Sequence, residues 1–170
     1  WVHFYSAQCR LFLGEIEKAE QEFLDGITIA ESIGENRVLS LMRPSLAVAQ
    51  AMLGRYDEAL QTASDNLKTS SPTLLYSHFE TLRCFADVRF RRAEIDEAEQ
   101  LCRQAEEPIA PTEWRVSRLW LGPLHIEVLL AAQKHAEAAT KLAAYQQLVA
   151  DCQSPRFSNE ASRLATLIKN

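Results

Sequence analysis

The feature that most constrains this chain is that it repeats itself. Laid against itself without gaps, four segments align: Leu13-Gly14-Glu15-Ile16-Glu17-Lys18-Ala19, Leu53-Gly54-Arg55-Tyr56-Asp57-Glu58-Ala59, Arg92-Ala93-Glu94-Ile95-Asp96-Glu97-Ala98 and Ala132-Gln133-Lys134-His135-Ala136-Glu137-Ala138. The last position is alanine each time, at intervals of 40, 39 and 40 residues. Twelve residues upstream a second column reads Ala7, Ala47, Ala86, Ile126 at the same intervals. A unit that recurs at such a period is one supersecondary element that buries its apolar face only by stacking on its neighbours. Small residues at two fixed places mark where paired helices come closest.

Each unit resolves into two helices. Leu46, Val48, Ala49 and Leu53, then Leu82, Phe85, Ala86 and Phe90, fall at helical spacing before the short break; Ala59, Leu60, Ala63 and Leu67 continue it afterwards. Gly14 and Gly54 suit a left-handed residue closing the first helix. Glu17, Asp57 and Asp96 belong in the first turn of the second, where negative charge complements the helix dipole. Pro72, Pro111 and Pro155 mark helix starts between units. The spacing predicts first helices near 1–13, 36–53, 73–92 and 111–132, and second helices near 16–33, 56–69, 95–107 and 135–152. A last helix over 155–169, with Phe157, Ala161, Leu164 and Ile168 on one stripe, covers the end of the final pair. No useful stretch alternates with period two. The expected fold is all-α: one α-solenoid domain over 1–170, with four helix-turn-helix repeats (1–35, 36–72, 73–110, 111–153) and a C-terminal capping helix.

Composition sets the remaining bounds. With 170 residues, 47% of them hydrophobic, the chain can bury a core as one domain. Its longest apolar stretches, such as Val128 to Ala132, fall far short of the roughly 20 residues that span a bilayer. It opens on Trp1-Val2-His3-Phe4-Tyr5, inside what reads as a helix, with neither an initiator Met nor a signal-peptide pattern, as a piece cut from a longer polypeptide would. A net charge of −5 argues against nucleic acid as a direct partner. Cys9, Cys84, Cys102 and Cys152 are widely separated and read as small buried hydrophobes in a reducing compartment, which points to the cytoplasm.

The segment Gly54-Arg55-Tyr56-Asp57-Glu58-Ala59-Leu60 resembles the tetratricopeptide (TPR) family, whose helix pair carries a small residue in its first helix, then Gly-x-Tyr, then an alanine early in its second. Gly14, Ile16 and Ala19 match with one substitution; Ala93 and Gln133 stand where Gly is expected, and His135 where Tyr is expected. The usual period in the family is 34 residues, so these units are longer; HEAT-type repeats, at about 40–47 residues, are the competing reading. The Gly-x-Tyr-x-x-Ala signature favours the tetratricopeptide one. The long units and the Ile29–Glu35 stretch look like the arrays of bacterial signalling regulators, including MalT-like transcriptional activators and some nucleotide cyclases. That resemblance implies a regulatory or scaffold module that binds other proteins.

Nothing in the chain signals catalysis. His3, His78, His125 and His135 have no ligand set around them, no phosphate loop or nucleophile elbow occurs, and no cofactor or metal is expected. His135, in the Tyr column, is explained by a packed ring. If the family geometry holds, a concave face collects Trp1, Leu41, Glu80, Trp120; then Phe4, Pro44, Arg83, Pro123; then Gln8, Val48, Asp87, Glu127; then Leu11, Ala51, Phe90, Leu130. Aromatic residues and Arg anchor interfaces, which makes Trp1, Phe4, Gln8, Glu80, Arg83, Asp87, Phe90, Trp120 and Glu127 the candidate partner-binding residues. The plain alternatives are core packing for each Trp and an ion pair with Asp87 for Arg83. The Lys and Asn of the family's carboxylate clamp are absent from these columns. Three functions stay open: a protein- or peptide-binding regulatory module, a sensor holding a small molecule, and a spacer that packs on copies of itself or on flanking domains.

Overall fold

The structure, a computed structural model, describes residues 1–69, 73–110 and 114–169. Among them are nine helices and no strand: α1 (Val2–Phe12), α2 (Ile16–Ser32), α3 (Asn36–Met52), α4 (Tyr56–Thr69), α5 (Leu75–Arg91), α6 (Ile95–Ile109), α7 (Arg115–Ala131), α8 (His135–Cys152) and α9 (Pro155–Lys169). The fold is all-helical, with helices packed against their neighbours in sequence as in a solenoid-like repeat. Pro155 opens α9 as expected. Pro72 and Pro111 lie outside the described residues, and α5 and α7 begin at Leu75 and Arg115, slightly later than the periodicity implies.

Helices end where the sequence places the breaks, through one repeated turn. Gly14 (φ +75°) and Gly54 (φ +78°) are left-handed, as are Ala93 (φ +64°) and Gln133 (φ +60°) in the corresponding places of the later repeats. At all four, two backbone bonds close the helix. The amides of Gly14 and Glu15 donate to the carbonyls of Leu11 and Arg10; those of Ala93 and Glu94 donate to Phe90 and Arg89 at 2.9 and 3.0 Å. This pairing satisfies carbonyls that the helix end would otherwise leave open. The turn persists without glycine because the two bonds and the packed helices on either side outweigh the left-handed penalty, about 1–2 kcal/mol for a residue with a Cβ.

The chain divides into two compact units, Trp1–Glu94 and Ile95–Asn170. In the first, α1–α2 and α3–α4 form successive hairpins, and α5 packs on both α3 and α4. Ala7, Ala19, Phe23, Met42 and Ala49 are fully shielded at its centre, with Phe4, Leu11, Ile16 and Ile27 packed around them. In the second, α6 packs on α7, α7 and α8 pair, and α9 lies against both. Its core runs through Leu119, Ile126, Leu129, Leu142, Tyr145 and Leu164, with Phe157 and Ile168 of α9 closing it. Both repeat columns are interior: Ala19, Ala59, Ala98 and Ala138, and Ala7, Ala47, Ala86 and Ile126, all have no exposed surface.

An ion pair recurs at matching positions of two repeats. Glu20 of α2 binds Arg55 in the α3–α4 turn, and Glu99 of α6, in the same column, takes both Lys134 at 2.7 Å and Arg103 at 2.7 Å. Lys134, then burial working the other way, then Arg103 set the Glu99 carboxyl, and it ends below its ordinary range. Two expectations fail. Cys9 is exposed on α1, and His135 is exposed at the first residue of α8, so its ring is not a core contact.

Two outcomes test this account. Ala59→Leu should lower stability by about 1–3 kcal/mol in urea denaturation, since there is no room for the added carbons; an unchanged midpoint would show that the column is not a close contact. Ala93→Gly should raise stability by about 0.5–1 kcal/mol by relieving the left-handed penalty, net of glycine's looser unfolded chain. A lower midpoint would contradict the turn geometry.

Candidate functional site

In the first unit α3 lies between α1 and α5, touching each. Leu41, Pro44 and Val48 of α3 are buried, so what reaches solvent there comes mainly from the flanking helices. On α5 the residues at 3–4 spacing come together as a charged row, but not with the expected pairing. Arg83 donates through Nε and Nη2 to one oxygen of Glu80, at 3.0 and 2.8 Å, and through Nη2 to Cys84 Sγ at 3.3 Å. Asp87 takes Arg91 instead, at 2.8 Å. Glu80 and Arg83 pair on a partly buried strip, with side chains 13% and 18% exposed, where a paired charge is far less costly than a lone one. Burial works against the Arg83 charge, yet the Cys84 sulfur and Glu80 outweigh it and hold the guanidinium more firmly protonated than usual. Burial also pushes the Cys84 thiol up to about 12, which removes it as a nucleophile at neutral pH.

On α1, Trp1 is half exposed, stacks on Tyr5 with centroids 6.1 Å apart and meets Phe4 edge-on at 6.2 Å. Phe4 itself packs on the core, and Gln8 donates to Ser45 Oγ of α3 at 2.9 Å, so both serve the stacking of helices. Phe90 is partly buried near the end of α5. Two residues that the sequence reading passed over belong here. Tyr76 stands one turn before Glu80 and is 47% exposed, and Tyr5 is 61% exposed. Burial first, and then the Glu80 carboxylate, push the Tyr76 phenol up to about 12, with Arg83 opposing and Tyr5 close enough to add to the rise. The run 76, 80, 83, 87 keeps the same 3–4 spacing, a signal that could have included Tyr76.

In the second unit the candidates are engaged by α9. Trp120 meets the Phe157 ring edge-on at 5.6 Å with the Arg156 guanidinium over its face at 4.5 Å, and Glu127 accepts from Arg163 at 2.7 Å. This unit holds instead a cavity of about 400 Å³ among α6, α7 and α8, lined by Ile109, Leu121, Gly122, Tyr145 and Leu148, with Glu106, Lys141 and Arg118 as its charged members. Gly122 sits mid-helix because a Cβ there would lie 2.6 Å from the Tyr145 ring. The next residue, Pro123, has no amide to bond Leu119 O, and the Tyr145 hydroxyl donates to that carbonyl at 3.4 Å instead. Beside the cavity His125 is fully buried. Its Nδ1 lies 3.2 Å from Glu106 Oε1, close but without the alignment of a hydrogen bond, and neither ring nitrogen makes one with the described residues. Lys141 Nζ binds the same Glu106 oxygen. No segment of sequence announces this cluster, since its members come from three helices.

Among the described residues no three His, Cys, Asp or Glu side chains are grouped to hold a metal ion, and no helix is long and apolar enough to cross a membrane. No protein-family model matches the chain, and no curated protein matches it either.

Burial raises the Glu106 carboxyl, but His125 and Lys141 lower it further and leave it at about 2. A carboxylate held below its unfolded value stabilises the fold while ionised. That contribution is complete above about pH 4.5 and is lost as pH falls towards 2. Glu106→Gln should therefore weaken the fold at pH 7 and flatten its loss of stability between pH 5 and 2. Equal acid slopes for the two proteins, from urea midpoints at each pH, would remove Glu106 from the account.

Proposed function

We propose that this chain is a non-catalytic, partner-binding module of the tetratricopeptide kind, serving as the regulatory or scaffold segment of a bacterial signalling or transcription-regulating protein in the cytoplasm. Its first unit docks a protein or peptide. The supporting observation is a set of substantially exposed rings, the Trp1–Tyr5 stack at α1 and Tyr76 one turn before the Glu80–Arg83 pair on α5. Tyr, Trp and Arg are the side chains that dominate interface energetics, and rings held by stacking lose little freedom on binding. Glu80 fixes the Arg83 guanidinium through Nε and Nη2, and Nη1 makes no hydrogen bond with the described residues. A carboxylate on the partner is the natural acceptor for it. The partner is accordingly a segment with apolar side chains beside a carboxylate, drawn from another protein or from a flanking domain of the same polypeptide, and neither nucleic acid nor a membrane.

A second reading has its own observation. The cavity among α6, α7 and α8 is of a size that holds small ligands, with an apolar wall and a few charged groups, as an effector-sensing domain requires.

The docking reading is tested with a peptide library whose members end in either a free or an amidated carboxylate, using fluorescence polarisation. Binders should need the carboxylate. Tyr76→Ala should weaken them tenfold or more, about 1.4 kcal/mol, with an unchanged melting temperature. Arg83→Ala should weaken them as well, while also costing stability because Glu80 loses its partner. A library without binders, or binders indifferent to Tyr76, would remove the first unit as the docking site.

A further inference from the structure

Contacts among α6, α7 and α8 order the lining of the second unit's cavity from end to end. At one end Arg118 of α7 donates through Nη2 to the carbonyls of Ile109 and Ala110, at 3.2 and 2.9 Å, where α6 finishes. At the other, Lys141 of α8 binds Glu106 of α6, and His125 Nδ1 of α7 stands 3.2 Å from the same carboxylate oxygen. Between the ends lie Ile109, Leu121 and Tyr145, each 4% exposed or less. The Tyr145 hydroxyl donates to Leu119 O, which leaves its ring carbons to line the space. The middle is therefore apolar and both ends are charged.

The two ends differ in what they have left to give. Arg118 already holds two carbonyls. The Lys141 ammonium carries three protons, and Glu106 is its one hydrogen-bond partner among the described residues. Beside Glu106, His125 is fully buried, and both of its ring nitrogens lack a hydrogen bond with the described residues. Buried polar atoms without a partner are uncommon in folded interiors, so unmet polar capacity gathers at the Lys141 end. Charge then selects the occupant. The lining sets two cationic side chains, Arg118 and Lys141, against the single carboxylate of Glu106. A cation would meet that excess with repulsion, a neutral molecule would leave it unanswered, and a dianion would overshoot it. We infer that the cavity takes a small monocarboxylate with an apolar body, its carboxylate on Lys141 Nζ and its body along Ile109, Leu121 and the Tyr145 ring. Such a ligand presupposes that the cavity holds a small molecule, the second of the two functions proposed for the chain. A volume of about 400 Å³ falls at the small end of ligand sites, which suits one aromatic ring or a short branched chain. Glu106 acts as a positioning residue, anchoring the ammonium that the carboxylate meets.

Head groups exchanged on a constant body test this on the intact chain, by ligand-observed NMR and calorimetry. The probes are phenylacetate, phenylacetamide and benzylamine, with isocaproate, isocaproamide and isoamylamine. At least one acid should bind about tenfold or more tighter than its amide, and the amines should bind weakest. Lys141→Met, which keeps the apolar stem, should erase the preference for acid over amide, and Lys141→Arg should keep it. That ratio is the readout because the Met variant also costs Glu106 a partner, and lost stability alone would weaken acid and amide equally. Ala144→Phe, at an exposed position of the α8 wall, should fill the space and weaken acids and amides alike, with the wild-type helical spectrum. Amides or amines that bind as well as the acids would overturn the carboxylate and leave the cavity a small-molecule site. A preference that survives Lys141→Met would overturn the placement on Lys141. Probes that all fail to bind, or that bind Ala144→Phe as they bind the wild type, would overturn both the ligand and the cavity's role.

Discussion

Everything in this protein depends on how closely neighbouring helices can approach. A side chain of one carbon at Ala19, Ala59, Ala98 and Ala138, each without exposed surface, lets the second helix of a unit settle against its neighbours with little between them. Interiors pack at crystal-like density and adjust poorly to added volume, so the crossing point is fixed wherever the alanine falls. Because it falls every 40, 39 and 40 residues, the same buried alanine recurs in each repeat. The second column, Ala7, Ala47, Ala86 and Ile126, holds the first helices in the same way, and Ile126 shows that the fourth unit tolerates a larger residue there.

Once the spacing is fixed, the helix ends and several of the charged groups find partners nearby. The left-handed turn at Gly14, Gly54, Ala93 and Gln133 closes each first helix with two backbone bonds, whatever the side chain. Glu20 of α2 reaches Arg55 in the α3–α4 turn, and Glu99 of α6 reaches Lys134 in the α7–α8 turn while also taking Arg103 of its own helix. Within α7 the proline that removes an amide and the glycine that admits a ring are adjacent, and Tyr145 answers both. These devices let the helices stay close without leaving charge unpaired inside.

The candidate site was legible only in part. The row Glu80, Arg83, Asp87 could be read from spacing along one helix, and it does share a strip. Its pairing could not be read, because Glu80 at i−3 and Asp87 at i+4 are both within reach of Arg83 and similarly buried, and Asp87 is taken by Arg91. Columns that match across repeats also suggested that Trp1 and Trp120 play one role. They do not: Trp1 stays half exposed, whereas Trp120 is covered by Phe157 and Arg156 of α9. Register assigns a position along a helix, and the element packed next to that position sets what the residue does.

The sequence by itself determined the number, length and order of the helices, the alanine contacts and the turns, because each rests on residues within one period of 40. Helical periodicity and left-handed turn chemistry are short-range and leave their mark in the order of residues. Only the tertiary structure decided that Gln8 is spent on Ser45, that Tyr5 comes near Tyr76, and that Glu106, His125 and Lys141 meet beside a cavity. Those groups come from helices tens of residues apart in the chain. Their contacts depend on the rotation of one helix against another, which is fixed by the sum of many packed side chains and by no local signal.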